Sequence, residues 1–199
     1  TLISDTEKSK FHYTIGNTYL SMLEKYKLED HIFTIVNQLN QGIEQIIKPE
    51  EKVKLQELNI IAGNKAMAST AYEASLGFFQ IAVEQLTNNS WEDNYNLTLE
   101  LFTNRARSEY LSKEYESAEK TFDLILAKAK NPIDKITIYE LKSSMYVSQN
   151  KIIEAIDILK QALKTLGINL PKNPTEVSPL PEIIKFKLKF GKRKAEDLL

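Results

Sequence analysis

Two adjacent carboxylate pairs, Glu50-Glu51 and Glu92-Asp93, are the residues best suited by type and spacing to acid–base work, one carboxyl giving a proton while the other takes one. Each pair directly follows a helix-start signal, Lys48-Pro49 in one case and Ser90-Trp91 in the other. The unpaired N–H groups of a first helical turn favour negative charge, so the helix starts account for both pairs without catalysis. Histidine chemistry is thin: the chain holds only His12 and His31, and both are read as structural. There is no Gly-x4-Gly-Lys-Ser/Thr phosphate loop, no Gly-x-Gly-x2-Gly and no His-Glu-x2-His. Cysteine is absent, which removes disulfides, thiolate metal ligands and cysteine nucleophiles together and fits a reducing, cytoplasmic compartment. Asn88-Asn-Ser90 and Asn96-Leu-Thr98 match glycosylation sequons, but the opening Thr1-Leu-Ile-Ser-Asp5 has no secretory pattern. The expectation is a segment with no catalytic residue, no metal site and no cofactor.

Charge and hydropathy narrow the partners. With 26 Lys and Arg against 27 Asp and Glu, no global field draws the chain to nucleic acid or to an anionic membrane. No apolar run approaches the roughly 20 residues a bilayer span needs. A protein or peptide partner, neighbouring domains of a longer parent chain included, is the remaining class, and self-association stays open. The missing initiator Met and the abrupt Leu198-Leu199 read as a segment cut from that longer chain.

The elements that would position any binding residue are helices. Apolar residues recur at helical spacing from Glu7 to about Tyr26 (Phe11, Ile15, Tyr19, Met22, Leu23), with Asp5 or Thr6 as N-cap, and again from about Leu28 to Ile47. Pro49 opens a third helix to about Met67, because proline is tolerated where the N–H has no intrahelical partner. A fourth runs from about Thr70 to Thr87, a fifth from a Ser90 hydroxyl cap to about Ser112, and a sixth from Tyr115 to about Lys130. Asn131-Pro132 starts a seventh, to about Val147, and the eighth spans Lys151 to Leu166, stopped by Gly167. Prolines 171, 174, 179 and 181 then forbid a helix, so residues 168–181 read as a linker.

In the segment 182–199, Lys185-Phe-Lys-Leu-Lys-Phe190 alternates as a strand would, yet Ile183, Phe186 and Phe190 also share one helical face; a basic amphipathic helix is the favoured reading, since no other strand is at hand to pair with it. Six cations fall between Lys185 and Lys194, interleaved with Phe186, Leu188 and Phe190. The favoured expectation is a solvated face with its apolar stripe docked on the preceding helix pair; an anionic membrane surface and an acidic protein partner are the alternatives.

Superposing Ser75, Ala118 and Ala155 exposes a repeat. Three residues earlier stand Tyr72, Tyr115 and Ile152; four later Phe79, Phe122 and Leu159; seven later Ala82, Ile125 and Ala162; twelve earlier the small residues Gly63, Ala106 and Ser143. Small residues where two helices touch, with a bulky plug beside them, resemble the tetratricopeptide pattern. The spacings of 43 and 37 exceed its usual 34, so the repeats are degenerate. Residues 49–167 hold three such repeats. The pair 1–48 is a relative in which Ile15-Gly16-x2-Tyr19 resembles a first helix, but whose second helix has no clear small-residue position. The fold expected is all-α, a right-handed α-solenoid of degenerate tetratricopeptide-like hairpins, each burying against its neighbours an apolar face it cannot bury alone.

That resemblance implies a concave groove lined by the first helices of successive pairs. Its positions hold Asn64, then Glu100, Asn104 and Arg107, then Glu140 and Ser144, with Asn17 from the looser first pair. Asparagine and arginine there can bond a peptide backbone or a carboxylate. The two-asparagine, two-lysine clamp of chaperone-binding members is incomplete. The competing contact surface is Ile183, Phe186 and Phe190.

Three stretches carry a further resemblance: Phe33-Thr-Ile-Val-Asn-Gln-Leu-Asn-Gln-Gly42, Ala62-Gly63-Asn-Lys-Ala-Met-Ala-Ser-Thr-Ala-Tyr72 and Trp91-Glu-Asp-Asn-Tyr-Asn-Leu-Thr-Leu99. They look like the tetratricopeptide-like region of large bacterial multi-sensor signalling kinases, which join a serine/threonine kinase, an AAA-type ATPase, a helical region, a GAF domain and often a histidine kinase. The resemblance implies a parent that is a serine/threonine or histidine kinase, and a non-catalytic segment that relays between the ATPase and the sensors or binds a partner in its groove. The other function class left open is a free-standing helical receptor or enzyme using the groove as a pocket.

Overall fold

The computed structural model describes residues 4–23 and 28–170. Among them regular structure is entirely helical: α1 (Asp5–Met22), α2 (Leu28–Gln41), α3 (Pro49–Ala68), α4 (Tyr72–Glu84), the single turn α5 (Ser90–Asp93), α6 (Tyr95–Leu111), α7 (Tyr115–Lys128), α8 (Pro132–Ser148) and α9 (Ile152–Thr165). The expected helix at 182–199, and the linker beyond Leu170, lie outside the described residues.

Local chemistry sets the helix ends, and in four places it differs from the reading of the sequence. Helix α1 is capped by Ser4 rather than by Asp5 or Thr6. The Ser4 hydroxyl accepts from Glu7 N–H while the Glu7 carboxylate accepts from Ser4 N–H, a box that satisfies two orphan donors at once. Helix α2 stops at Gln41, short of Ile47, because the α1 backbone comes in at Gly42: a Cβ there would stand 2.5 Å from Tyr13 N. The chain passes instead through a 3-10 turn, Ile43–Gln45. The predicted fifth helix is broken at Asn94, whose φ of −144° and ψ of 63° are not helical. Ser90 does not cap it; Asn89 is the residue before the helix, and the Thr98 hydroxyl donates to Ser90 O at 3.0 Å, tying α5 to α6 across the break. Helix α4 starts at Tyr72, not Thr70.

The cause of that last shift recurs. Thr70, Lys113 and Asn150 all have left-handed backbone, with φ of 59°, 65° and 60°. The N–H of the next residue reaches back in each case: Ala71 to Ala66 O (2.9 Å), Glu114 to Glu109 O (2.8 Å) and Lys151 to Tyr146 O (2.9 Å). This is one helix-ending motif used three times, so α3–α4, α6–α7 and α8–α9 turn in the same way. Gly167, with φ of 78°, ends α9 likewise, Ile168 N–H bonding to Leu163 O.

Each helix packs chiefly on those before and after it: α1 on α2, α2 on α3, α3 on α4, α4 on α6, α6 on α7, α7 on α8 and α8 on α9. The repeated small residues all lie buried where the paired helices meet. Ser75 donates to Gly63 O at 3.0 Å and Ser143 to Ala155 O at 3.4 Å, while Ala106 and Ala118 share one apolar cluster with Phe122. Gly63 is required by contact, because a Cβ there would lie 2.9 Å from the ring of Phe79, which is fully buried. In the first pair Leu39 of α2 fills the space left by Gly16, consistent with the missing small residue in that second helix.

Polar bonds across helices fix the register that apolar packing alone leaves loose. Asn40 and Asn59 exchange two amide hydrogen bonds of 2.9 Å between α2 and α3. Gln56 donates to Ala82 O at 2.9 Å, and the Ser75 and Ser108 hydroxyls meet at 3.1 Å between α4 and α6. Such buried groups are costly unless paired, so a slip of either helix would strand them.

Candidate partner-binding face

The seven residues expected to line a groove fall on the first helices of successive pairs: Asn17 on α1, Asn64 on α3, Glu100, Asn104 and Arg107 on α6, Glu140 and Ser144 on α8. None is buried; Asn64, Glu100, Glu140 and Ser144 are exposed and the others half-buried. Spacings of four and three place Glu100, Asn104 and Arg107 on one stripe of α6, and a spacing of four does the same for Glu140 and Ser144. Asn17 donates to Tyr13 O at 3.0 Å and Ser144 to Glu140 O at 2.9 Å, so part of their capacity is used on their own helices. Among the described residues no hydrogen bond or ion pair joins one of the seven to another on a different helix. On α6, Glu100 faces solvent while Asn104 and Arg107 are half-buried.

Pocket geometry points elsewhere. Recesses of about 510 and 440 Å³ open at the turns, one beside Tyr72, Glu73 and Lys113, the other beside Tyr115, Glu119 and Lys151. Of the seven residues only Asn17 borders a described recess, one of about 40 Å³ between α1, α2 and α3, room for little more than water.

What sequence reasoning missed is a set of locks between helices that are not partners in a hairpin. The Tyr13 hydroxyl on α1 donates to Glu51 on α3 at 3.1 Å, and the Tyr95 hydroxyl on α6 donates to Asp134 on α8 while accepting from Lys130 N–H. Glu51 and Asp134 are both the third residue of a helix opened by proline. A Pro-x-acid start with a tyrosine about 40 residues upstream is a signal the sequence did carry. Burial first, then the carboxylate each faces, pushes both phenols above the usual tyrosine range.

Between α7 and α8 the nearly buried Lys142 ammonium bridges Glu119 and Asp123, each at 2.7 Å, and Glu119 also accepts from the Tyr146 hydroxyl. Burial would lower the Lys142 pKa, but the two carboxylates outweigh it and hold it raised. Tyr146 is raised by burial and by Glu119. Glu109, fully buried on α6, is paired with Arg105 at 2.9 Å. Each of these charges has a partner, although the second Glu109 oxygen, Oε2, is buried without one.

The groups that suggested chemistry have structural settings of their own. Glu50, Glu51, Glu92 and Asp93 sit in first helical turns, and Glu51 is taken up by Tyr13. His12 Nδ1 lies 2.7 Å from Gln38 Oε1, tying α1 to α2, and His31 is exposed near the start of α2. Among the described residues no cluster of His, Cys, Asp and Glu could hold a metal ion, and no helix is long and apolar enough to cross a membrane.

No family model matches the chain, and no solved structure does. Over 168 residues, 79% of this chain, it is 29% identical to the hybrid signal transduction histidine kinase G of Dictyostelium discoideum. The chain spans about 5% of that relative's length. The similarity marks a region related to part of a signalling kinase.

Proposed function

We propose that this chain is a non-catalytic regulatory and interaction module of a multidomain signalling protein, a right-handed tetratricopeptide-like solenoid whose first helices α1, α3, α6 and α8 hold a peptide or a neighbouring domain. The observation that carries the reading is the similarity to a small share of a much longer histidine kinase. A segment that is so small a share of its relative fits a module serving the rest of a longer chain. Three hairpins closed by the same left-handed turn, with small buried residues at each helix contact, support the repeat architecture. The unspent polar stripe of α6, with Asn104 and Arg107 half-buried, supports the groove. The module would relay state between an ATPase on one side and sensor domains on the other, within a cytoplasmic kinase.

Two measurements test this. In the full-length parent, Arg107→Ala should weaken capture of the neighbouring domain by more than about 1 kcal/mol, since hydrogen bonds to charged groups contribute roughly 1.5 to 3 kcal/mol. Unchanged capture, in a variant with an unchanged melting curve, refutes the groove. Calorimetry of the isolated chain with ATP and magnesium should give no saturable heat; micromolar binding would overturn the scaffold reading.

A further inference from the structure

The first helices of the four pairs are built alike, yet α1 is finished differently. Gly16, Gly63, Ala106 and Ser143 are the buried small residues that meet the second helix of the same pair. Five residues before them stand Phe11, Leu58, Leu101 and Ile138. Leu58 packs in one apolar cluster with Val36 and Leu39 of α2, Leu101 with Phe79 and Ala82 of α4, and Ile138 with Phe122 and Ile125 of α7. The partner is each time the second helix of the preceding pair, and these three residues are at most 1% exposed. Phe11, in the first described pair, is 70% exposed. Two residues after the small position, Thr18 is exposed where Ser108 and Met145 are buried; one turn further, Met22 is exposed as well. The face that α3, α6 and α8 bury against a preceding helix is thus bare on α1.

The far end carries the complement. On α4 a ridge runs Leu76, Phe79 and Val83, and Phe79 and Val83 pack with Leu97 and Leu101 of α6. On α7 the same positions are Glu119, Phe122 and Leu126; Lys142 of α8 meets Glu119, and Phe122 and Leu126 pack with Ile138 and Met145. On α9 they are Ile156, Leu159 and Leu163. Ile156 is 46% and Leu159 43% exposed, and the buried residues of α9 are Ala155 and Ala162 alone.

We propose that the α9 ridge of one copy of this chain seats on the α1 face of a second copy, so that the chains associate head to tail through the contact each already uses between its own pairs. The strong joints between pairs all set a second helix on the first helix that follows it: α2 on α3, α4 on α6 and α7 on α8. The two bare faces are the two halves of that joint, one at each end of the described helices. A second copy therefore offers to each face the partner it is shaped for, Phe11 entering between Ile156 and Leu159 as Leu101 enters beside Phe79. Two α1 faces or two α9 ridges meeting would oppose surfaces of like kind, which none of the three joints does. A heterologous contact leaves one face free at each end of the assembly, so growth continues past the dimer. The inference rests on the equivalence of the pairs and is independent of the groove, so its failure leaves the Arg107 test standing.

Sedimentation velocity on the full chain, from about 1 μM to about 1 mM to take in weak and small interfaces, tests it. The unaltered protein should grow past the dimer as concentration rises. Phe11→Asp and Leu159→Asp should each stay monomeric, since each has lost one of the two faces. An equimolar mixture of these two variants should form a dimer and stop there, because it retains one intact ridge and one intact α1 face. Phe11→Leu should associate as the unaltered chain does. Melting curves check that the variants fold; Thr18→Arg and Ile156→Arg, on the same two faces, replace an aspartate variant that does not. An unaltered chain that stays monomeric to the highest concentration overturns the proposal, whatever else covers the two faces. Association that survives either aspartate variant overturns it in favour of like faces meeting or of another surface, and a mixture that stays monomeric overturns it too.

Discussion

Replacing Gly63 by alanine sets two known effects against each other. Gly63 lies inside α3, where alanine is favoured over glycine by about 1 kcal/mol. The new methyl, however, would stand 2.9 to 3.0 Å from three atoms of the Phe79 ring, well inside ordinary contact. Phe79 is fully buried and cannot swing outward, so the methyl forces either the ring off its rotamer or α3 away from α4. Overpacking of this kind costs roughly 1 to 3 kcal/mol. The net expectation is a loss of about 1 kcal/mol, or a fall of about 2 to 4 °C in Tm for a chain of this size. Gly77, in the middle of α4, has nothing within 4 Å of where its Cβ would be. The same substitution there should stabilise by about 1 kcal/mol. Urea denaturation of both variants reads the two signs directly. Adding Phe79→Leu to Gly63→Ala should recover part of the loss, with a coupling of about 1 kcal/mol in the double-mutant cycle. If Gly63→Ala stabilises as much as Gly77→Ala, the close crossing of α3 and α4 is refuted.

Ala118→Leu should cost roughly 1 to 3 kcal/mol by the same overpacking at the α6–α7 contact; a neutral melting curve would mean the position is not enclosed. Thr70→Asn should stabilise by about 0.5 to 1 kcal/mol, because a β-branched residue is strained at φ 59° and asparagine is tolerated there, as at Asn150. Unchanged Tm would show that the turn is not fixed as described. Tyr13, Tyr95 and Tyr146 all have raised pKa values. The folded state therefore keeps protons that the unfolded state releases, so their contribution is complete below about pH 10 and is lost as pH rises through the folded values. Stability followed from about pH 8 to 11 should fall, and should fall less in the triple tyrosine-to-phenylalanine variant; equal slopes would refute the three locks.

Helix existence and the hairpin contacts were legible because they rest on patterns local in sequence: apolar residues every three or four positions, Pro49 and Pro132 at helix starts, Gly167 at an end, and small residues at Gly63, Ser75, Ala106 and Ala118. What escaped depended on a neighbour distant in the chain or on which of two local signals wins. Gly42 ends α2 because of Tyr13, 29 residues earlier. Ser4 won over Asp5 because its box satisfies two donors. Thr70 looked like a helix cap and is a left-handed turn residue. The tyrosine–carboxylate locks were hidden because Glu51 and Asp134 already had a sufficient local reason to be acidic. For the face formed by Asn64, Asn104 and Arg107, the residues alone placed them on helices; the structure adds that Asn64 is exposed and that Asn104 and Arg107 are half-buried.

The strong helix contacts join elements adjacent along the chain. Closing each of them costs little loop entropy, so the search for the native state is short, and proteins built from such local contacts fold fast. A nascent chain can therefore settle hairpin by hairpin as it leaves the ribosome, each finished pair templating the next. The hazardous moment in that sequence is whenever a second helix has emerged and its successor has not, for then a ridge such as Leu76, Phe79 and Val83 is bare and adhesive. A pause in translation at that moment would prolong it and give neighbouring nascent chains longer to stick together.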